Sequence, residues 1–192
     1  MNDKPIAAGK SSFDLIEFDK LVDALEIEPG ITFLDVACGA GAYTLALADM
    51  IGPDGRLYAL DLWAEGIEIL TTEAKNRQIS TIEAHVADVS RTMPLETARV
   101  DLGLMATVLH DLIEDHTDQG TLQEVARVMR PGGKLAVIEF KKMDGPPGPP
   151  RGIRLSPRET EARLLPHAFE ALATYDIGPY TYLSLFKYTF DR

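Results

Sequence analysis

Asp35, Gly39, Gly41, Asp61 and Asp88 have residue types and spacing that can do chemistry, and His110 is a further candidate. Residues 33–44 read Phe-Leu-Asp-Val-Ala-Cys-Gly-Ala-Gly-Ala-Tyr-Thr: an apolar strand into Asp35, a glycine turn, then a helix from about Ala42. Glycine permits positive φ and lets a ligand come close to the backbone. The start of the following helix offers unpaired N–H groups and the positive end of its dipole. Such a turn suits a nucleotide-like ligand bearing a carboxylate or phosphate. Asp61 lies 20 residues after Gly41, at the end of a second apolar run. Its two acceptor oxygens can take both hydroxyl protons of a ribose. Asp88 closes a third such run. An unperturbed histidine titrates near neutrality, which makes His110 the best general-base candidate, with Asp111 or Glu114 as the groups that would orient it.

These residues need a scaffold that gathers strand ends. Apolar runs at Ile31–Ala37, Arg56–Leu60, Thr81–Ala87, Val100–Ala106 and Lys134–Phe140 read as strands. Helices are expected over 12–25 (with Ser12 as a cap), 42–51, 64–77 and 118–129, the last stopped by Pro131-Gly132-Gly133. Ser156-Pro157-Arg158-Glu159 is a capping box opening a helix to about Ala168. Two β-rich stretches follow, near 171–177 and 180–190, with Gly178-Pro179 between them. Alternating strands and helices imply a parallel sheet with right-handed crossovers. So short a final turn permits only an antiparallel hairpin.

The chain has 192 residues and 45% hydrophobic composition, which suits one domain. A net charge of −11 disfavours broad electrostatic binding to nucleic acid. Residues 141–158 are the exception, with five basic residues against Asp144 alone, +4 there and −15 elsewhere. The lone Cys38 excludes an intrachain disulfide and reads as packing. Met1–Ser12 is polar without a signal-peptide stretch, and no run of 18 apolar residues is present. The expectations are a cytoplasmic protein with no membrane span, a small-molecule substrate and no nucleic-acid partner. A homodimer is left open. No histidine pair has metal-ligand spacing, so no metal is expected.

A dinucleotide-binding turn requires a third glycine, and Thr44 occupies that position. The pattern Asp35-x-x-x-Gly39-x-Gly41, with Asp61 and Asp88, instead resembles the motifs of class I S-adenosylmethionine-dependent methyltransferases over residues 31–140. Residues 127–139, Arg-Val-Met-Arg-Pro-Gly-Gly-Lys-Leu-Ala-Val-Ile-Glu, resemble the small-molecule members of ubiquinone and menaquinone synthesis. The resemblance implies an α/β, Rossmann-like, seven-stranded, mostly parallel sheet with helices on both faces and an antiparallel C-terminal hairpin. It implies S-adenosyl-L-methionine as cofactor and S-adenosyl-L-homocysteine as product. It assigns cofactor binding to Asp35, Ala37, Gly39, Gly41, Tyr43, Asp61, Leu62, Asp88, Val89 and Ala106, with the Val89 backbone meeting the adenine. Residues 1–30 are expected to form a helical segment or lid, and 31–192 the methyltransferase domain.

Thr107, His110, Lys141, Arg151 and Arg154 are the candidate substrate-binding residues, and His110 with Asp111 the candidate catalytic pair. The segment Gly145–Pro150, Gly-Pro-Pro-Gly-Pro-Pro, is semi-rigid chain leaving the fifth strand on the ligand side. Its basic flanks lead to the expectation of an anionic small substrate. Two alternatives stay open: a non-catalytic binder of the same cofactor, and an NAD-dependent oxidoreductase, since the spacing of Asp61 also suits a dinucleotide. Thr44 and Asp88 count against the oxidoreductase.

Overall fold

The computed structural model describes residues 9–190. The first eight residues of the expected lid therefore lie outside the described residues.

Seven strands form one sheet in the order β3-β2-β1-β4-β5-β7-β6. They are β1 (Thr32–Val36), β2 (Arg56–Asp61), β3 (Ile82–Val86), β4 (Val100–Ala106), β5 (Met129–Phe140), β6 (Phe169–Asp176) and β7 (Thr181–Tyr188). The first five are parallel, and β7 runs antiparallel between β5 and β6. This is the expected mixed sheet, including its terminal hairpin.

Alternation along β1 sends Leu34 and Val36 to one face and Phe33 to the other. On the Phe33 face lie α1 (Phe18–Leu25), α2 (Ala42–Ile51) and α3 (Ala64–Asn76), burying Leu21, Leu47 and Leu70. On the Leu34 face lie α4 (Leu109–Glu114), α5 (Asp118–Val128) and α6 (Pro157–Leu164), burying Leu109, Val125 and Leu164. The capping box opening α6 is formed: the Ser156 hydroxyl accepts from the Glu159 amide, and Glu159 accepts from the Ser156 amide. Among the described residues, no helix is long and apolar enough to cross a membrane.

Three elements differ from expectation. The helix expected over 12–25 is broken. A 3-10 turn at Phe13–Leu15 is followed by extended Ile16, and the Glu17 amide donates to Ile177 O at 2.6 Å before α1 begins. Apolar spacing cannot report that interruption, because the bond is to a residue 160 positions away in the sequence. The helix α4, too short for its period to register, follows β4 directly. Strand β5 begins at Met129, which pairs with Val100, so 130–133 is an irregularity inside the ladder rather than a free turn.

Candidate active site

The parallel strands all end on one side of the sheet, and the candidate residues gather there as ligand-binding groups of such sheets do. Asp35 is buried near the end of β1, directed at α2, where Thr44 Oγ1 donates to its Oδ2 at 2.6 Å. The β-branched residue at the third-glycine position is thus the hydrogen-bond partner of the buried acid. Burial pushes the Asp35 carboxyl up to about 7. The Thr44 bond opposes that shift and the charge of Asp61 adds to it.

The two turn glycines serve different ends. Gly39 has φ +59, and a Cβ built on it would meet nothing within 4 Å, so its exposed side is open to a ligand. Gly41 has φ +78, and its Cβ would lie 2.4 Å from Leu70 Cδ1, so its requirement is internal packing of the turn on α3. Asp61 secures the turn from the neighbouring strand. Its Oδ2 accepts from the Gly39 amide and its Oδ1 from the Trp63 amide, both at 2.7 Å. Each oxygen keeps a lone pair for a further donor. Leu62 beside it is 55% exposed, an apolar surface next to the acid. Asp88 binds locally: Oδ1 accepts from the Ser90 amide and hydroxyl, and Oδ2 pairs with Arg91 at 3.2 Å. These contacts, with the Ser90 hydroxyl bond foremost, hold its carboxyl below the usual range. The Val89 side chain is buried in the core beside Met93 and Leu122. Ala37 takes a left-handed φ of +57 at the end of β1, and Ala106 ends β4.

Tyr43, Ser12 and Thr107 form a hydroxyl chain across the strand ends. Ser12 Oγ lies 2.9 Å from Tyr43 Oη and accepts from Thr107 Oγ1 at 3.0 Å. Ser12 therefore does not cap a helix with its side chain. It fastens the N-terminal segment to α2 and β4, with Phe13 packed edge-on against Tyr43. Sequence reasoning missed this role, because a serine before an apolar run carries the pattern of a cap.

A cavity of about 600 Å3 opens beside this chain, lined among others by Lys10, Ser12, Thr107, His110, Asp111 and Phe140. His110 is buried at the start of α4. Its Nδ1 lies 2.7 Å from Glu139 Oε2, and its amide donates to Glu139 Oε1 at 3.1 Å. Its Nε2 lies 3.5 Å from Asp111 Oδ1. Burial lowers the His110 pKa, but the bond and charge of Glu139 and the charge of Asp111 carry it above the ordinary value. Glu139, not Asp111 or Glu114, is the group hydrogen-bonded to the ring. The sequence places Glu139 near a strand end but carries no signal linking it to a residue 29 positions earlier.

The basic residues expected at the substrate are directed elsewhere. Arg154 is 2% exposed, and its guanidinium donates to the carbonyls of Lys141, Gly145, Pro147 and Pro149 at 2.7–3.0 Å. A proline-rich loop has carbonyls without matching N–H donors, and a buried guanidinium supplies them. Arg154 is thus a clamp on the loop, with Phe140 stacked at 5.6 Å, and is not available to a substrate. Lys141 donates to Asp176 and Gly178 O, and Lys142 to Glu159. Both line a separate cavity with Tyr182 and Ser156 rather than the one beside His110. Arg151 is exposed and 3.6 Å from Asp144.

Residues 34–137, more than half of the chain, match the methyltransferase domain family. The 2-phytyl-1,4-naphtoquinone methyltransferase of Trichormus variabilis is 32% identical over 119 residues, 60% of this chain and 49% of that one. A demethylmenaquinone methyltransferase of Geobacillus is 28% identical over 115 residues, 60% and 47% respectively. This chain thus spans about half the length of the curated relatives it matches. The crystal structure of a SAM dependent methyltransferase from Aquifex aeolicus superposes with a TM-score of 0.84 at 27% identity, covering 94% of both chains. The chain belongs to the methyltransferase domain family, with the fold of the class I S-adenosylmethionine-dependent methyltransferases.

Proposed function

We propose that this chain transfers a methyl group from S-adenosylmethionine to a small molecule seated in the cavity beside His110. The observation that carries the reading is a shared strand end: Thr107, just past β4, borders the cavity and is tied through Ser12 to Tyr43 on the helix of the glycine turn. The two half-sites are therefore contiguous.

The residues present suit that cofactor. Gly39 leaves an open approach, Asp61 retains acceptor capacity for ribose hydroxyls, and exposed Leu62 offers an apolar face to adenine. Asp88 would accept from the adenine amino group, with the Val89 backbone alongside. Ala37 and Ala106 would border the methionine moiety. When bound, the sulfonium supplies an electrophilic methyl carbon and leaves as a neutral thioether. The protein orients the acceptor and excludes water, effects worth about 7–11 kcal/mol in favourable cases. Residues 9–30, held by Ser12 and Phe13, serve as a lid over this junction.

The names of the relatives direct the acceptor screen to naphthoquinol-like rings. An anionic acceptor has less support, because Lys141, Lys142 and Arg154 are paired away from the cavity while Asp111 lines it. Calorimetric titration with S-adenosylmethionine, S-adenosylhomocysteine and NADH, on wild type and Asp61→Ala, tests the reading. Binding of the first two, weakened in the variant, supports it. Binding of NADH alone, or of none of the three, overturns it. His110→Ala, losing turnover with cofactor affinity kept, separates an enzyme from a binding-only protein.

A further inference from the structure

Glu139 is an ionisable group in the buried half of its strand. It lies within Leu135–Phe140 of β5, fully enclosed at 0% exposure. A buried carboxylate is costly unless paired and hydrogen-bonded. An apolar side chain would satisfy the strand, since pairing with Tyr182 of β7 is made by backbone. Both Glu139 oxygens converge on one residue, Oε1 on the His110 amide and Oε2 on its Nδ1. The first contact fixes where α4 begins, and the second fixes the rotation of the imidazole ring. Phe140 packs edge-on at 6.1 Å and limits the ring further.

We infer that Glu139 is a positioning residue: it holds His110 in the Nδ1–H form with Nε2 presented to the cavity, so that His110 takes the proton of an acceptor that enters neutral. The catalytic part of this inference rests on the methyl-transfer reading, whereas the tautomer does not. With Nδ1–H donated to Glu139, the free lone pair of the neutral ring is on Nε2. In the reaction, the acceptor's O–H proton moves to Nε2 and the oxygen electron pair forms the bond to the methyl carbon. The electrons of the broken carbon–sulfur bond stay on sulfur, giving the neutral thioether.

The surrounding charges suit this order of events. Glu139 from β5 and Asp111 from α4 face the ring. Arg154, behind Phe140, opposes them more weakly, and Lys10 acts on Asp111 at the cavity edge. Two carboxylates stabilise an imidazolium that forms in place and repel an acceptor that arrives as an anion.

Nitrogen NMR of histidine-labelled, cofactor-free protein tests the inference, with His110→Gln identifying the signal. Wild-type His110 is expected in the Nδ1–H tautomer when neutral, with a midpoint above that of an ordinary histidine. Glu139→Gln should lower that midpoint by about one pH unit or more. Glu139→Asp, withdrawn by one methylene, should fall between. An unshifted midpoint in a folded variant, or an Nε2–H tautomer in wild type, overturns the inference. The wild-type spectrum decides the tautomer even where a variant fails to fold. In turnover, the acidic limb of the kcat profile should move to lower pH in Glu139→Gln with cofactor affinity unchanged; a profile that only scales down refutes the catalytic part. Failure of wild type to bind S-adenosylmethionine refutes the methyl-transfer reading and leaves the tautomer result standing.

Discussion

Replacing Asp35 with Asn should make the cofactor-free protein more stable at neutral and alkaline pH, with the gain growing as pH rises. Burial holds this carboxyl at about 7 in the fold, against an ordinary value of 3.8. A folded-state pKa raised above the unfolded one means that the native protein binds the proton more tightly. The stability from that proton is complete below the ordinary value and is lost progressively as pH climbs through about 7. The interval of about 3 pH units corresponds to about 4 kcal/mol. Asn removes the titration, keeps nearly the same shape, and its carbonyl oxygen can still accept from Thr44 Oγ1. Urea unfolding of wild type and variant at about pH 5 and pH 8 reads the difference directly. The variant should gain about 1–2 kcal/mol at the lower pH and about 4 at the higher, with no change in m. A constant difference between the two pH values would refute the reasoning. Asp35 would then be either ionised throughout, stabilised by something other than Thr44, or neutral throughout.

Other perturbations separate packing from binding. Arg154→Met should destabilise the fold by about 2–4 kcal/mol and open residues 143–152 to protease, because four carbonyls lose their donor; cofactor affinity by calorimetry should not change, and lost acceptor binding without loss of stability would place Arg154 in the site. Gly39→Ala should weaken cofactor binding roughly tenfold or more with a stability cost of about 1 kcal/mol, since its methyl enters open space. Gly41→Ala should cost more stability in the same melts, since its methyl meets Leu70. Ser12→Ala should cost about 1–2 kcal/mol of local stability and speed hydrogen exchange across residues 10–16, while added cofactor slows cleavage over 10–25 in wild type; unchanged exchange would dissociate Ser12 from the lid.

By itself the sequence determined the order of the seven strands, most of the helices between them, the closing hairpin and the glycine turn. These depend on residues close together in the chain: apolar runs of strand length, glycine at positive φ, a Ser-Pro-x-Glu box, a short turn around Gly178-Pro179. It also placed Asp35, Asp61 and Asp88 at strand ends, because in a parallel sheet the acid after an apolar run must lie on one side. What only the tertiary structure decided was which group meets which. Basic residues at 141–154 read as a charged rim, yet backbone carbonyls and acids from other elements claim Lys141, Lys142 and Arg154. Ser12 reads as a cap but bonds two hydroxyls from distant segments. Glu139 and His110 are 29 residues apart on different elements, and adjacent ends of β5 and α4 make them a pair. The physical reason is range. Propensity and periodicity act within a few residues, whereas the partner of a buried charge is set by which strand ends the crossovers bring together.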